Sequence, residues 1–309
     1  MGVEIKDVNP SYLMHLISLQ AIYEAHNRNT NAALQDVRCL FLMTKQLSTI
    51  PYLGRASRTA IKLNHSNEIL AKVLLYTKIS PAQARAFEAS LPTINFKSLA
   101  DRDFLVDRIM CKYSIESSPW PYIVFTSRGM TDTSSLPFWR TLKLFTTPIQ
   151  RLDEANALKR AAINYRRNQK TPFPMPPKYR DIQIQITNNE DEKMPWYMIG
   201  TRFFAPGVLP SKIPGSMETK RRERIIALAL AAYHTRYHQY PSTLKSLEEF
   251  WGSALPKDLY GEKSFRYRSD GKTFKLYSIG IDRVDDGGKT DTYPRKDDIM
   301  WPNNTPPFK

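Results

Sequence analysis

Phe265-Arg-Tyr-Arg-Ser-Asp-Gly-Lys-Thr-Phe-Lys-Leu-Tyr277 decides the fold class. Phe265-Arg-Tyr-Arg and Thr273-Phe-Lys-Leu-Tyr alternate about Ser269-Asp-Gly-Lys272. Alternation marks strands, and Asp-Gly between alternating runs is the strongest short hairpin signal. Upstream, Ile226, Leu230, Tyr233 and Tyr237 recur at helical spacing, so a helix over Arg222–Gln239 leads into the hairpin and ends at Pro241. Ser242 can cap a short helix carrying Leu244, Leu247 and Phe250, and Gly252–Pro256 reads as loop. The C-terminal unit is therefore expected to be one helix packed on a small antiparallel sheet, followed by a long loop.

The N-terminal third reads as helices. Over Ser11–His26 the apolar residues Leu13, Leu16, Ile17, Leu19, Ala21 and Ile22 fit a helical stripe. Asn27–Asn29 is a polar break, and Thr30–Leu47 continues with Ala33, Val37, Leu40, Phe41 and Met43. Pro51 starts another segment and Ser66–Tyr76 another. Ser80 as N-cap with Pro81 at the first helical position opens a helix over Ala82–Leu91 that Pro92 stops. A further helix is expected over Ser98–Tyr113. Short breaks between helices of this length imply antiparallel hairpins.

The middle is less regular. Pro119, Pro121, Pro137 and Pro148 interrupt 116–150, and Pro148–Asn168 reads as a long polar helix. Thr171-Pro-Phe-Pro-Met-Pro-Pro177 is a stiff connector. Asp181–Thr187 alternates as a strand, Trp196–Phe204 is an aromatic helical stretch, and Pro206–Pro214 is a joint. The fold class is α+β: a helical-hairpin region over 1–115, an irregular and helical connecting region over 116–215, and an α+β module over 216–309.

Composition is that of a globular chain, 41% hydrophobic and 24% charged, with net charge +15. No apolar run reaches the ~18 residues that a membrane span requires. The N-terminus lacks a basic segment followed by an apolar one, and Lys6 breaks the acylation pattern that Met1-Gly2 would begin. Residues 151–180 hold eight Lys or Arg against two acids, with Tyr165, Phe173 and Tyr179 interleaved, and Lys220-Arg-Arg-Glu-Arg224 is a second basic knot. Such faces suit an anionic surface or polyanion, or simply a solvated helix. Cys39 and Cys111 match no metal spacing; they pair, or they sit as free buried thiols.

The tail runs Tyr277-Ser-Ile-Gly-Ile-Asp282-Arg-Val-Asp285-Asp286-Gly287-Gly288, then Asp297-Asp298-Ile-Met-Trp301. Clustered carboxylates on a glycine-bearing loop suit a hard cation such as calcium, which takes about six to eight oxygen ligands; a solvated tail is the alternative. His234 and His238 lie four apart on one helix, a spacing open to zinc, though no Glu follows His234 as in a metalloprotease helix and a helix C-terminus itself favours histidine. Nucleophile elbows, Walker loops, dinucleotide fingerprints and His-Glu-x-x-His are missing from the sequence.

One ordered set of residues resembles a family. The helix, Tyr240-Pro241, the short helix, Leu255-Pro-Lys-Asp258, Tyr260-Gly261, the Tyr-Arg strand, Leu276-Tyr-Ser-Ile-Gly280, Asp282, Gly287-Gly288 and Asp298-Ile-x-Trp301 follow the order of the soluble domain of the major pseudopilin of type II secretion systems. The likeness covers roughly residues 216–302. The whole layout is similar to uncharacterised proteins of planctomycete and verrucomicrobial type with a helical N-terminal region. The resemblance implies calcium in the final loop, with Asp282 and Asp298 as ligands, Asp285 and Asp286 beside them, and Asp297 and Asp291 as substitutes. Met300 stands where the family has Asn. The charged knot and some 215 preceding residues argue against pilus assembly through this helix.

These readings give a non-enzymatic, envelope- or secretion-associated binding or structural protein with a calcium-stabilised pseudopilin-like C-terminal domain. Its expected location is periplasmic or cell envelope, membrane-tethered in full-length form. A protein partner would bind through the helical region and an anionic surface through the basic face. The alternative is a basic nucleic-acid- or polyanion-binding protein.

Overall fold

The computed structural model describes residues 10–50, 55–99, 101–102, 213–261, 263–289 and 298–302, and, between 151 and 174, residues 151–152, 155–156, 158–160, 162–163, 165–166, 169–170 and 173–174. Most of the connecting region, the strand expected over 181–187, the stretch 196–204, the joint up to residue 212, Cys111, Asp291 and Asp297 lie outside them.

Four helices open the chain: α1 (Pro10–His26), α2 (Thr30–Leu47), α3 (Arg55–Tyr76) and α4 (Pro81–Ser90). After the connecting region come α5 (Ile213–Tyr237), α6 (Leu244–Trp251), and the strands β1 (Arg266–Ser269), β2 (Phe274–Ser278) and β3 (Ile299–Met300). The fold is α+β: packed N-terminal helices, a long helix, and a small three-stranded antiparallel sheet against it.

Local chemistry sets most ends. Asn29 caps α2, its Oδ1 accepting the Ala32 amide at 3.4 Å. At α4 the full capping box forms, with Ser80 Oγ accepting the Gln83 amide and the Gln83 side chain accepting the Ser80 amide. The segments expected from Pro51 and over Ser66–Tyr76 are one helix, α3, because residues 55–76 contain neither Gly nor Pro. Helix α5 begins nine residues earlier than Arg222, with Pro214 in its first turn, where a missing N–H costs nothing. Thr243, rather than Ser242, caps α6 through the Ser246 amide at 3.2 Å.

The hairpin forms as its Asp-Gly signal predicts. Ser269 pairs with Phe274 and Tyr267 with Leu276. In the turn, Asp270 Oδ1 accepts the Lys272 and Thr273 amides, and Gly271 takes φ +84°. Tail residues expected as loop instead add β3 to the free edge of β2, pairing Tyr277 with Met300 and Ser278 with Ile299. Two residues are too short for a periodic signal; buried Trp301 anchors the segment, and Lys220 Nζ donates to the Met300 carbonyl at 2.6 Å.

The chain divides into two compact units: Met1–Ile50, Ser57–Asn95 and Ile213–Lys309 form one, and Pro51–Ala56 with Phe96–Lys212 the other. Most of the helical region expected over 1–115, up to Asn95 apart from 51–56, thus falls in the same unit as the module expected from 216. Its centre is α5, buried on all sides from Ile226 to Ala232. A helix apolar all round is a core helix. It contacts α4, α6, β2 and β3. Fully burying each Leu or Ile here stabilises the unit by roughly 1.5–3 kcal/mol.

Polar bonds tie the N-terminal helices to α5 and α6. Arg224 forms a bidentate pair with Glu88 at 2.8 and 2.9 Å, reaches Asn67 Oδ1 at 3.5 Å and lies over the Phe41 ring. Thr235 Oγ1 accepts the Ile79 amide at 3.1 Å, and Arg85 bonds the Trp251 carbonyl and stacks over its ring.

Helix α1 buries only part of the expected stripe: Ala21 is buried and Ile17 and Ile22 are half-buried. Met14, Ser18, Ala21 and Ala25 face inward against α2 and α3, while Leu13, Leu16 and Leu19 are exposed. The small residues let α2 approach closely, and Ser18 Oγ donates to the Met14 carbonyl and meets His65 Nε2 of α3 at 2.9 Å. Cys39 is free and exposed rather than buried, since it lies outside the α2 stripe of Ala33, Val37, Leu40 and Phe41.

Candidate functional site

The acidic loop leaves β2 at Ser278 and returns as β3. Its turns are local. Asp282 Oδ1 accepts the Val284 amide at 3.1 Å, and the Arg283 amide bonds the Gly280 carbonyl at 3.3 Å. Asp285 is held three ways: Oδ1 accepts the Tyr277 hydroxyl at 2.9 Å and the Gly287 amide at 3.0 Å, and Oδ2 accepts Arg266 Nε at 2.9 Å. Burial pushes this carboxyl up, but those three donors hold it below its ordinary value. Gly287 and Gly288 both take left-handed φ, +71° and +74°. A Cβ on Gly288 would also lie 2.5 Å from Lys275 Cε and 3.1 Å from Tyr277 Cδ1, so only glycine fits.

Asp298 closes the loop. It is 4% exposed; Oδ2 accepts the Gly288 amide at 2.7 Å, and Oδ1 has no hydrogen-bond partner among the described residues. Burial raises its pKa, the Gly288 amide opposes this, and the charges of Asp286, Asp285 and Asp282 push it further up. A buried carboxylate oxygen without a partner is costly, and such groups are ordinarily paired or metal-bound. Trp301 Nε1, three residues on, is also buried without a partner among the described residues.

Among the expected ligands, then, Asp282, Asp285 and Asp286 act electrostatically on Asp298, while Asp297 lies outside the described residues. Among the described residues no three His, Cys, Asp or Glu side chains converge into a metal-holding group.

Two acids that the sequence reading did not single out sit at the sheet end of α5. Asp258 is buried and fully bonded: Oδ1 accepts the Tyr260 amide at 3.1 Å and Ser278 Oγ at 2.6 Å, and Oδ2 accepts the Ile279 amide at 3.3 Å. It pins the end of β2 to the turn before β1. Its only sequence signal is membership in Leu255-Pro-Lys-Asp258. Glu223 is 0% exposed, and neither oxygen has a hydrogen-bond partner within ordinary geometry among the described residues. Burial holds its carboxyl well above the ordinary value; Lys220 and the Ser278 amide pull down, and Asp258 pushes up. Nothing in Arg-Arg-Glu-Arg announces a buried acid.

The second basic knot is internally satisfied. Arg221 and Arg222 both bond Glu218, Arg222 Nη1 also reaches the Lys257 carbonyl, Lys220 holds β3 and Arg224 holds Glu88. Of the basic face at 151–180, Arg160 is buried, and much of the rest is outside the described residues. His234 stacks on Tyr240 with ring centroids 4.6 Å apart, and burial lowers its pKa, with His238 acting the same way. His238 lies beyond the helix at φ +55°, so the two imidazoles do not share a helical face. No helix among the described residues is long and apolar enough to cross a membrane. No family model, no curated protein and no solved structure matches this chain.

Proposed function

We propose that the chain is a non-enzymatic binding or structural protein of the cell envelope or of secretion, whose pseudopilin-like C-terminal module is stiffened by calcium. The buried, unpartnered Oδ1 of Asp298 carries this reading. Three further carboxylates already raise the cost of its charge, and a divalent cation would convert that mutual repulsion into attraction. One helix on a small antiparallel sheet, with an acidic loop closing on the sheet edge, is the arrangement the pseudopilin resemblance implies. Calcium would bind Asp298 with Asp282, Asp286 and Asp297, while Asp285 keeps its bonds to Arg266 and Tyr277 and supplies charge. The helical region offers the partner surface.

Melting with calcium and with a chelator tests the metal. Calcium at 100 times its dissociation constant should add about 2.7 kcal/mol of stability. Asp298→Asn retains an oxygen for the Gly288 amide but loses the charge, so its melting temperature should not respond to calcium; Asp282→Ala should weaken the response. Identical wild-type curves in calcium and chelator would refute the site.

A further inference from the structure

We infer that α1 is a self-association element, through which two copies of this chain pair as antiparallel helices related by a two-fold axis. On its outer face Tyr12, Leu16, Leu19 and Tyr23 are 71%, 63%, 53% and 61% exposed, with Leu13 beside them. They are spaced four, three and four residues apart, the a/d rhythm by which helices interlock. The inward seam, Met14, Ser18, Ala21 and Ala25, has the same rhythm. Helix α1 thus carries two opposed seams and uses one within the protein.

The order Tyr-Leu-Leu-Tyr reads alike in both directions. In an antiparallel pair, Leu16 of one copy meets Leu19 of the other, and Tyr12 meets Tyr23, so every contact recurs twice, as a two-fold interface requires. Charge favours a second copy: α1 contains no Lys or Arg and a single acid, Glu24, so chains of net charge +15 meet at a near-neutral face. The same lack of basic residues argues against lipid, since helices lying in a membrane interface rely on Lys and Arg along their polar side. Area also fits. The exposed parts of these five side chains sum to on the order of 600 Å² per copy, so a pair would bury ~1,200 Å², the lower edge of specific interfaces. Association should therefore be reversible and concentration-dependent.

This deepens the reading of the helical region as the partner surface but uses none of the calcium loop, so a failed calcium titration leaves it standing, and the reverse. The test is sedimentation equilibrium of the full chain from micromolar to submillimolar concentration, with melting curves to confirm folding. Wild type should show a monomer–dimer equilibrium. Leu16→Glu with Leu19→Glu, at solvent-facing positions, should keep the wild-type melting temperature and weaken dimerisation by at least roughly 100-fold. Leu16→Lys and Leu19→Glu chains, each weakened alone, should re-associate when mixed, because the antiparallel register sets Lys against Glu. A wild type that stays monomeric throughout, a double variant that dimerises like wild type, or wild type that binds neutral lipid vesicles without dimerising would each overturn the proposal; a mixture that stays monomeric would overturn the antiparallel pairing.

Discussion

Truncating Glu88 to alanine should unfold the N-terminal helices and the C-terminal module together. Arg224 is 6% exposed at its side chain, and Glu88 is its bidentate partner at 20%. Removing one member of a buried pair costs ~3–5 kcal/mol, mostly because a charge is left in the interior. Water reaches Glu88, so the low end applies, about 3 kcal/mol. Asn67 at 3.5 Å and the Phe41 ring soften the loss without replacing a carboxylate. At 2–4 °C per kcal/mol for a unit of this size, the melting temperature should fall by ~6–12 °C. Replacing both partners by apolar residues, Arg224→Met with Glu88→Leu, should recover most of it, giving a coupling energy on the order of 3 kcal/mol. The assay is urea unfolding followed by helical circular dichroism and by tryptophan emission. With Trp120, Trp139 and Trp196 replaced by phenylalanine, the emission comes from Trp251 and Trp301 of the C-terminal module, whereas α1–α4 contain no tryptophan and register only in the helical signal. A Glu88→Ala loss below about 1 kcal/mol would refute the reasoning, as would helices melting without the module.

Glu223 predicts a pH effect. Its folded carboxyl sits above the ordinary 4.5, so the folded state keeps a proton that the unfolded chain releases. Stability should therefore decline as pH rises past that value, by about 1.4 kcal/mol per pH unit, until the folded carboxyl itself ionises. Glu223→Gln should match wild type in acid and exceed it at neutral pH in chelator; parallel melting profiles across pH would count against a buried acid. Gly215→Ala drives a Cβ into the Tyr260 hydroxyl, so it should cost ~1–3 kcal/mol, with partial recovery when Tyr260→Phe is added. An unchanged urea midpoint for the single variant would mean that Tyr260 moves freely.

Features written in neighbouring residues were legible. The Thr30–Leu47 helix, the Ser80-Pro81 cap and the Asp-Gly hairpin each depend on spacing or on turn residues within a few positions. Choices between near equivalents were not: Ser242 and Thr243 can both cap, and α1 is apolar enough around its circumference that either face could be buried. Long-range pairings leave no local trace. Arg224 and Glu88 lie 136 residues apart, and each alone looks like a solvated charge. In the candidate site the acidic cluster was visible as composition. The partnerless oxygen on Asp298, the full bonding of Asp258 and the burial of Glu223 depend on how β2, β3 and α5 converge, which composition does not encode.

Because the core helix arrives so late, newly made chain faces a wait. Residues α1–α4 leave the ribosome well before α5, and at about 5–20 residues per second Glu88 stands without Arg224 for roughly 7–27 s. Through that interval the Phe41 ring lacks the guanidinium that will lie over it, and Asn67 lacks its Arg224 partner, so the nascent helices are natural clients for a chaperone, and a stop codon within the connecting region would release them as an aggregation-prone fragment.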